Sequence, residues 1–248
     1  MTRMRRKNPR SVVPEFLAAL AMALCFSLAQ AEPAGVITHL SGTISAQRAD
    51  GSSKLLSIKS EVMEGDALTT QRDTYARIKF ADGGEIVMRP GTELKVTAYQ
   101  YDEKKPETGN VILGLLRGGL RALTGLIGKH NREAFKLNTP TATIGIRGTH
   151  FGALFCNSDC GDIPTVSGAT PENGLYVDVH SGTIIVSNPA GNQNFTAGQF
   201  GYVPNIQTSP IILPPENGLR VTMPQAISQN ASQGTGIGQA DQTQCVMQ

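Results

Sequence analysis

From Gly35 to Val203 the apolar residues fall at every second position in short runs, and Gly, Asp, Asn or Pro separates one run from the next. That period of two predicts strands joined by turns, an all-β chain. Val36 to Leu40 and Thr43 to Gln47 read as a pair of strands across Ser41-Gly42, and Leu55 to Ile58 as a short third. Thr74 to Phe80 turns Ala76, Ile78 and Phe80 inward and Tyr75, Arg77 and Lys79 outward. Ala81-Asp82-Gly83-Gly84 then makes the turn of a hairpin into Glu85 to Met88, with Ile86 and Met88 inward. Leu94, Val96 and Ala98 continue the alternation. Five glycines interrupt the leucines of Val111 to Lys129, each costing about 1 kcal/mol against alanine inside a helix. This stretch therefore reads as paired strands, Val111 to Arg117 and Gly119 to Leu123, with a turn or short helical piece after them. Gly174 to His180, with Leu175, Val177 and Val179 inward, and then Thr183 to Ser187, Gln193 to Thr196 and Gly201 to Val203 complete the strands.

One segment carries a change of phase. Ala142, Ile144 and Ile146 share one face and Thr141, Thr143, Gly145 and Arg147 the other, but Phe135 and Leu137 before it and Phe151, Ala153 and Phe155 after it stand at the opposite parity. A strand keeps its inward parity unless a residue is slipped or the chain bends. Pro140, which restricts Thr139 to extended geometry, supplies the first break, and Gly148 the second as a bulge.

The N-terminus has a different character. Arg3, Arg5, Arg6, Lys7 and Arg10 precede an uncharged apolar run, Phe16 to Leu28, and Ala29-Gln30-Ala31 offers a small-x-small cleavage site. This predicts a secretory signal peptide over residues 1–31, with an uncleaved anchor as the alternative. The leader holds five of the 22 basic residues and one of the 20 acidic ones, so the remainder has 17 against 19 and a net charge of −2. No basic patch with interleaved aromatics is left for nucleic acid. Export also frames the cysteines: Cys156-Asn-Ser-Asp-Cys160 predicts a local disulfide, with Cys245 free or intermolecular, or else joined to one of the other two. After Pro204 the chain has no aromatic residue and is rich in Gln, Ser, Asn and Pro, which predicts a disordered tail over 205–248.

Candidate chemistry is sparse. Tyr176, Asp178 and His180 line one strand face at i, i+2 and i+4; the stripe reads first as an outward, solvated face and second as a binding or acid–base surface. Arg147, between two glycines, reads first as a tie between strands or turn carbonyls, with Asp82 or Glu93 as partner, and second as a fork for a carboxylate or carbonyl beside Thr149. His150, Cys156 and Cys160 match no usual metal spacing, and no cofactor motif, nucleophile elbow or readable carboxylate pair points to catalysis.

Thr139-Pro-Thr-Ala-Thr-Ile-Gly-Ile-Arg-Gly-Thr-His-Phe151 resembles the signature of the FecR-domain family, and Glu64-Gly-Asp66, Phe80-Ala-Asp-Gly83, Arg89-Pro-Gly-Thr-Glu-Leu94, Gly119, Ser181-Gly-Thr-Ile184 and Ala197-Gly-Gln199 follow the family's order. Pro140, Gly145, Gly148, Asp82 and Gly83 are its structural positions. The resemblance implies one periplasmic all-β domain over residues 32–204, built of stacked short strands as a β-solenoid-like or jelly-roll-like sandwich. In that family the domain receives a signal from an outer-membrane receptor and relays it through a membrane helix to a segment that binds a sigma factor. Here neither a cytoplasmic segment nor a stable span after leader removal is expected. The expectation is therefore a non-catalytic, periplasmic, secreted or cell-surface module whose partner is an envelope protein, an outer-membrane receptor or another surface protein. A glycan- or peptidoglycan-binding or structural envelope protein is the alternative, against which stand the absence of Trp and the scarcity of Tyr.

Overall fold

The computed structural model describes residues 32–163, 165, 168–224 and 227. The leader, its cleavage site and Cys245 lie outside them. The described chain is all-β: β1 (Gly35–Leu40), β2 (Ile44–Gln47), β3 (Ser53–Leu56), β4 (Glu61–Val62), β5 (Ala67–Thr70), β6 (Ala76–Phe80), β7 (Glu85–Met88), β8 (Glu93–Gln100), β9 (Asn110–Leu123), β10 (Phe135–Asn138), β11 (Thr143–Cys156), β12 (Gly174–Asn188), β13 (Gly191–Thr196), β14 (Phe200–Val203) and β15 (Ile211–Leu213), with one short α-helix, α1 (Leu126–His130), and three single 3-10 turns. None of its helices is long and apolar enough to cross a membrane.

The strands form a single fifteen-stranded sheet that folds back over itself. Three long strands belong to both resulting layers. The first half of β9 pairs with β8 and, in parallel, with β10, whereas its second half pairs with β7 and β11. β11 likewise runs from β10 to β9, and β12 from β14 to β13, while the two remain paired with each other throughout. One layer thus reads β3-β2-β5-β8-β9-β10-β11-β12-β13 and the other β4-β1-β6-β7-β9-β11-β12-β14-β15. Inward residues of both, among them Ile44, Leu94, Leu113, Ile144 and Phe195 from the first and Ile37, Ile78, Leu120, Phe151 and Val177 from the second, make one core.

The folds in the sheet fall at glycines with positive φ: Gly118 in β9 (+72°), Gly148 in β11 (+62°) and Gly182 in β12 (+80°). A Cβ on Gly182 would stand 2.2 Å from the Gly148 carbonyl oxygen, so the two bends nest. The expected change of phase is present: Ile144 and Ile146 are buried before Gly148 and Phe151, Ala153 and Phe155 after it, with the register slipping between Arg147 and Phe151. Pro140 sits in the tight β10–β11 hairpin, where the Thr139 amide donates to the Ala142 carbonyl (2.8 Å) and Asn138 pairs with Thr143.

Three expectations give way to the tertiary structure. The halves of Val111 to Leu123 are one bent strand rather than a hairpin, and Gly174 to Ser187 is also one strand, because each half finds its partners in a different layer. The tail does not begin at residue 205. β15 pairs with β14, and Leu219 and Val221 are buried against the sheet. Residues 228–248 lie outside the described part.

Candidate functional site

The outer face of the second layer carries the polar chemistry, arranged in ranks across neighbouring strands. Strand register places Arg77 on β6 beside Val87 on β7, then Arg121 on β9, Gly152 on β11, Asp178 on β12 and Phe200 on β14. The chain beyond Gly218 crosses this rank. A Cβ on Gly218 would lie 2.3 Å from the Phe200 ring, and one on Gly152 would lie 2.7 Å from Val221 and 2.2 Å from Asp178 Oδ1, so the glycines are what permits the close approach.

Arg121 is the hub. Its Nη2 donates to Asp178 Oδ2 (2.9 Å), its Nη1 to the Val221 carbonyl (2.6 Å) and its Nε to His150 Nε2 (3.1 Å). The Val221 amide returns a bond to Asp178 Oδ1 (3.0 Å), and Arg77 donates to the Ile227 carbonyl. A buried charge is tolerable only when paired and fully hydrogen-bonded, and this network meets that condition around both Arg121 and Asp178. Burial, followed by the Arg121 guanidinium and His180, pushes the His150 imidazole down to about 3. His150 is therefore neutral near pH 7 and accepts through Nε2, which places its proton on Nδ1. His180 packs at 4.8 Å between ring centroids and stays exposed.

The stripe read as a solvated face is thus mostly covered: Tyr176 and Asp178 are buried and only His180 is open. Tyr176 stacks on Tyr202 (4.6 Å), and burial, then Tyr202 and Glu172, raises its phenol above the ordinary value. Arg147 is exposed and makes no ion pair among the described residues. Asp82, offered as its partner, is instead buried at the mouth of α1, where it accepts from Gly84 (3.1 Å), Ile127 (3.3 Å) and the Tyr99 hydroxyl (3.3 Å). Gly83 turns the β6–β7 hairpin at φ +78°. Thr149 is buried, its amide accepted by Thr124 Oγ1 (3.0 Å). Cys156 and Cys160 form the expected disulfide, so neither offers a thiolate to a metal.

The next rank, two residues along each strand, runs Gly119, Leu154, Tyr176, Tyr202, and Arg89 extends it by donating its amide to the Gly119 carbonyl (2.9 Å). Beyond the crossing segment this rank opens into a cleft of about 820 Å³, lined by Arg72, Tyr75, Arg89, Arg117 and the loop after the disulfide. The sequence reading singled out neither Arg121 nor Arg72. The signal for Arg121 was a lone guanidinium in the apolar run Gly119-Leu-Arg-Ala-Leu123.

The family model described as FecR protein matches residues 66–184. A candidate anti-sigma factor of Parabacteroides distasonis ATCC 8503, solved at 1.65 Å and again at 2.50 Å resolution, is 14% identical over 60% of this chain and 58% of its own, with a TM-score of 0.43 in both structures. This chain thus spans less than two thirds of that protein's length. A cell surface anchoring domain is 24% identical over 25% of this chain and 82% of its own, with a TM-score of 0.25. The comparison with curated proteins gives no match. Likeness at this level places no activity on the chain.

Proposed function

We propose, from the match of the FecR protein family model to residues 66–184, that the chain is an exported, non-catalytic recognition module of the bacterial cell envelope that works by binding another envelope protein. The family match is the observation that carries this reading. The polar groups of the outer face agree with it. Arg121 and Asp178 under the crossing segment are engaged with each other and with main chain, which is structural chemistry, whereas Arg72 and Arg89 in the cleft have no ion pair among the described residues. Export rests on the basic start, the apolar run and Ala29-Gln30-Ala31.

Site-specific photo-crosslinking in living cells tests it. A photoreactive residue in place of Tyr75, in the cleft, and another in place of Leu55, exposed on β3, should give a discrete adduct with one envelope protein from at least one position. Adducts with none from either position, with the chain folded and exported, would remove the reading.

A further inference from the structure

The cleft is built as a site, and its chemistry specifies a ligand. Its volume lies within the usual range for ligand-binding clefts. Of its three arginines, Arg117 is paired with Asp159 (2.8 Å), while Arg72 and Arg89 have no ion pair among the described residues. Arg89 is held by what surrounds it. Its amide donates to the Gly119 carbonyl, and its carbonyl accepts from Thr70 Oγ1 (2.6 Å). Its stem lies across Gly119, where a Cβ would stand 3.4 Å from Arg89 Cδ and 2.9 Å from Leu154 Cδ1. The neighbouring Gly118 turns the strand away at φ +72°, with Thr92 Oγ1 2.7 Å from where its Cβ would be. These glycines bring the Arg89 fork to the cleft.

We propose that the cleft is a carboxylate-recognition site for an acidic peptide segment of a partner protein, with Arg89 and Arg72 as the forks that take its carboxylates. This rests on the reading of the chain as a protein-recognition module and names the site and the chemistry. A guanidinium pairs bidentately with a carboxylate, which fixes direction as well as adding energy. Leu154, Ile163 and the Tyr75 ring give an apolar wall for an aliphatic side chain next to that carboxylate. Asp73 and Asp162, also without an ion pair among the described residues, stand ready to accept N–H groups from the bound peptide. A bare inorganic anion would use only a small part of such a volume. An anionic sugar would meet Tyr75 as the one aromatic face among the lining residues.

Fluorescence anisotropy on the purified chain tests this with three labelled probes: an octapeptide alternating Glu and Leu, its Gln–Leu counterpart, and an oligogalacturonate of similar charge. The Glu–Leu peptide should bind and the Gln–Leu peptide should not. Arg89→Gln should weaken binding by about tenfold or more, since a charge-assisted bond is lost, and Arg72→Gln by less. Arg132→Gln, an exposed change outside the cleft, should have no effect. Affinity should fall as salt is raised from about 0.05 to about 0.5 M. Equal affinity of the wild type and the Arg72→Gln/Arg89→Gln double variant, with near-ultraviolet circular dichroism unchanged, overturns the proposal. So does oligogalacturonate binding without peptide binding, or no binding of any probe. Cellular adducts that persist in the double variant would leave the recognition reading standing while the cleft falls.

Discussion

Arg121 and Arg89 stand in adjacent ranks of one sheet face, each beside a glycine of β9 or β11, yet their surroundings are opposite. Arg121 is 9% exposed, and its guanidinium bonds to Asp178, His150 and the Val221 carbonyl. Arg89 is half-buried, and its side chain has no ion pair among the described residues. What separates them is the segment beyond Gly218. It crosses the first rank, excludes water there, and so leaves Arg121 and Asp178 to be satisfied by protein groups. It leaves the second rank open at the β7 end, where water can solvate a free guanidinium until a ligand replaces it. The same residue type is therefore a structural tie in one rank and a recognition group in the other, and coverage rather than chemistry decides which.

Substitution should separate the two ranks most clearly. Asp178→Ala leaves Arg121 buried without its carboxylate and removes the acceptor of the Val221 amide, so a loss of about 3–5 kcal/mol is expected. Arg89→Gln, at an open site, should stay within about 0.5 kcal/mol of the wild type. Urea unfolding of both variants reads the difference, and equal small effects would mean that the crossing segment is not held by this network.

A smaller effect is expected at the rim of the cleft. Replacing Cys156 and Cys160 by Ser opens a loop with a sequence separation of 4, and constraint of so short a loop is worth roughly 2 kcal/mol. The loop carrying Asp159, the partner of Arg117, should loosen with it, so faster amide exchange at residues 157–163 than in β12 is the accompanying sign.

The covered rank also gives a dependence on pH through His150, which donates no charge to it but accepts from Arg121. His150 titrates at about 3 in the folded chain and at the ordinary 6.5 when unfolded. Between those values the unfolded chain binds a proton that the folded chain does not, so stability increases as pH rises through this window and is lost on acidification. The groups facing His150 are Arg121 and His180, both unfavourable to its protonation. His150→Gln should flatten the rise in urea midpoint between pH 4 and 7, and an unchanged slope would place the acid sensitivity elsewhere.

The hairpin at Ala81 to Gly84, the inward face of β12, the disulfide and the reversal of parity at Gly148 were all legible in the chain, because each depends on residues a few positions apart. The FecR signature fell on the same stretch, since Pro140 and Gly148 fix a local conformation. The stripe Tyr176, Asp178, His180 was recognised as a shared face, but its state was misread. Alternation reports which residues point together, not what lies over them.

The sequence by itself determined an all-β chain, its inward faces and the glycines at which strands must turn, because backbone sterics and a period of two act between near neighbours. Only the tertiary structure decided that β9, β11 and β12 each serve two layers, that Val221 seals Arg121 against Asp178, and that Arg89 is left facing a cleft. The Val221 contacts join residues 43 and 100 positions apart, and nothing in local periodicity encodes which distant segment will come to rest on an outward face.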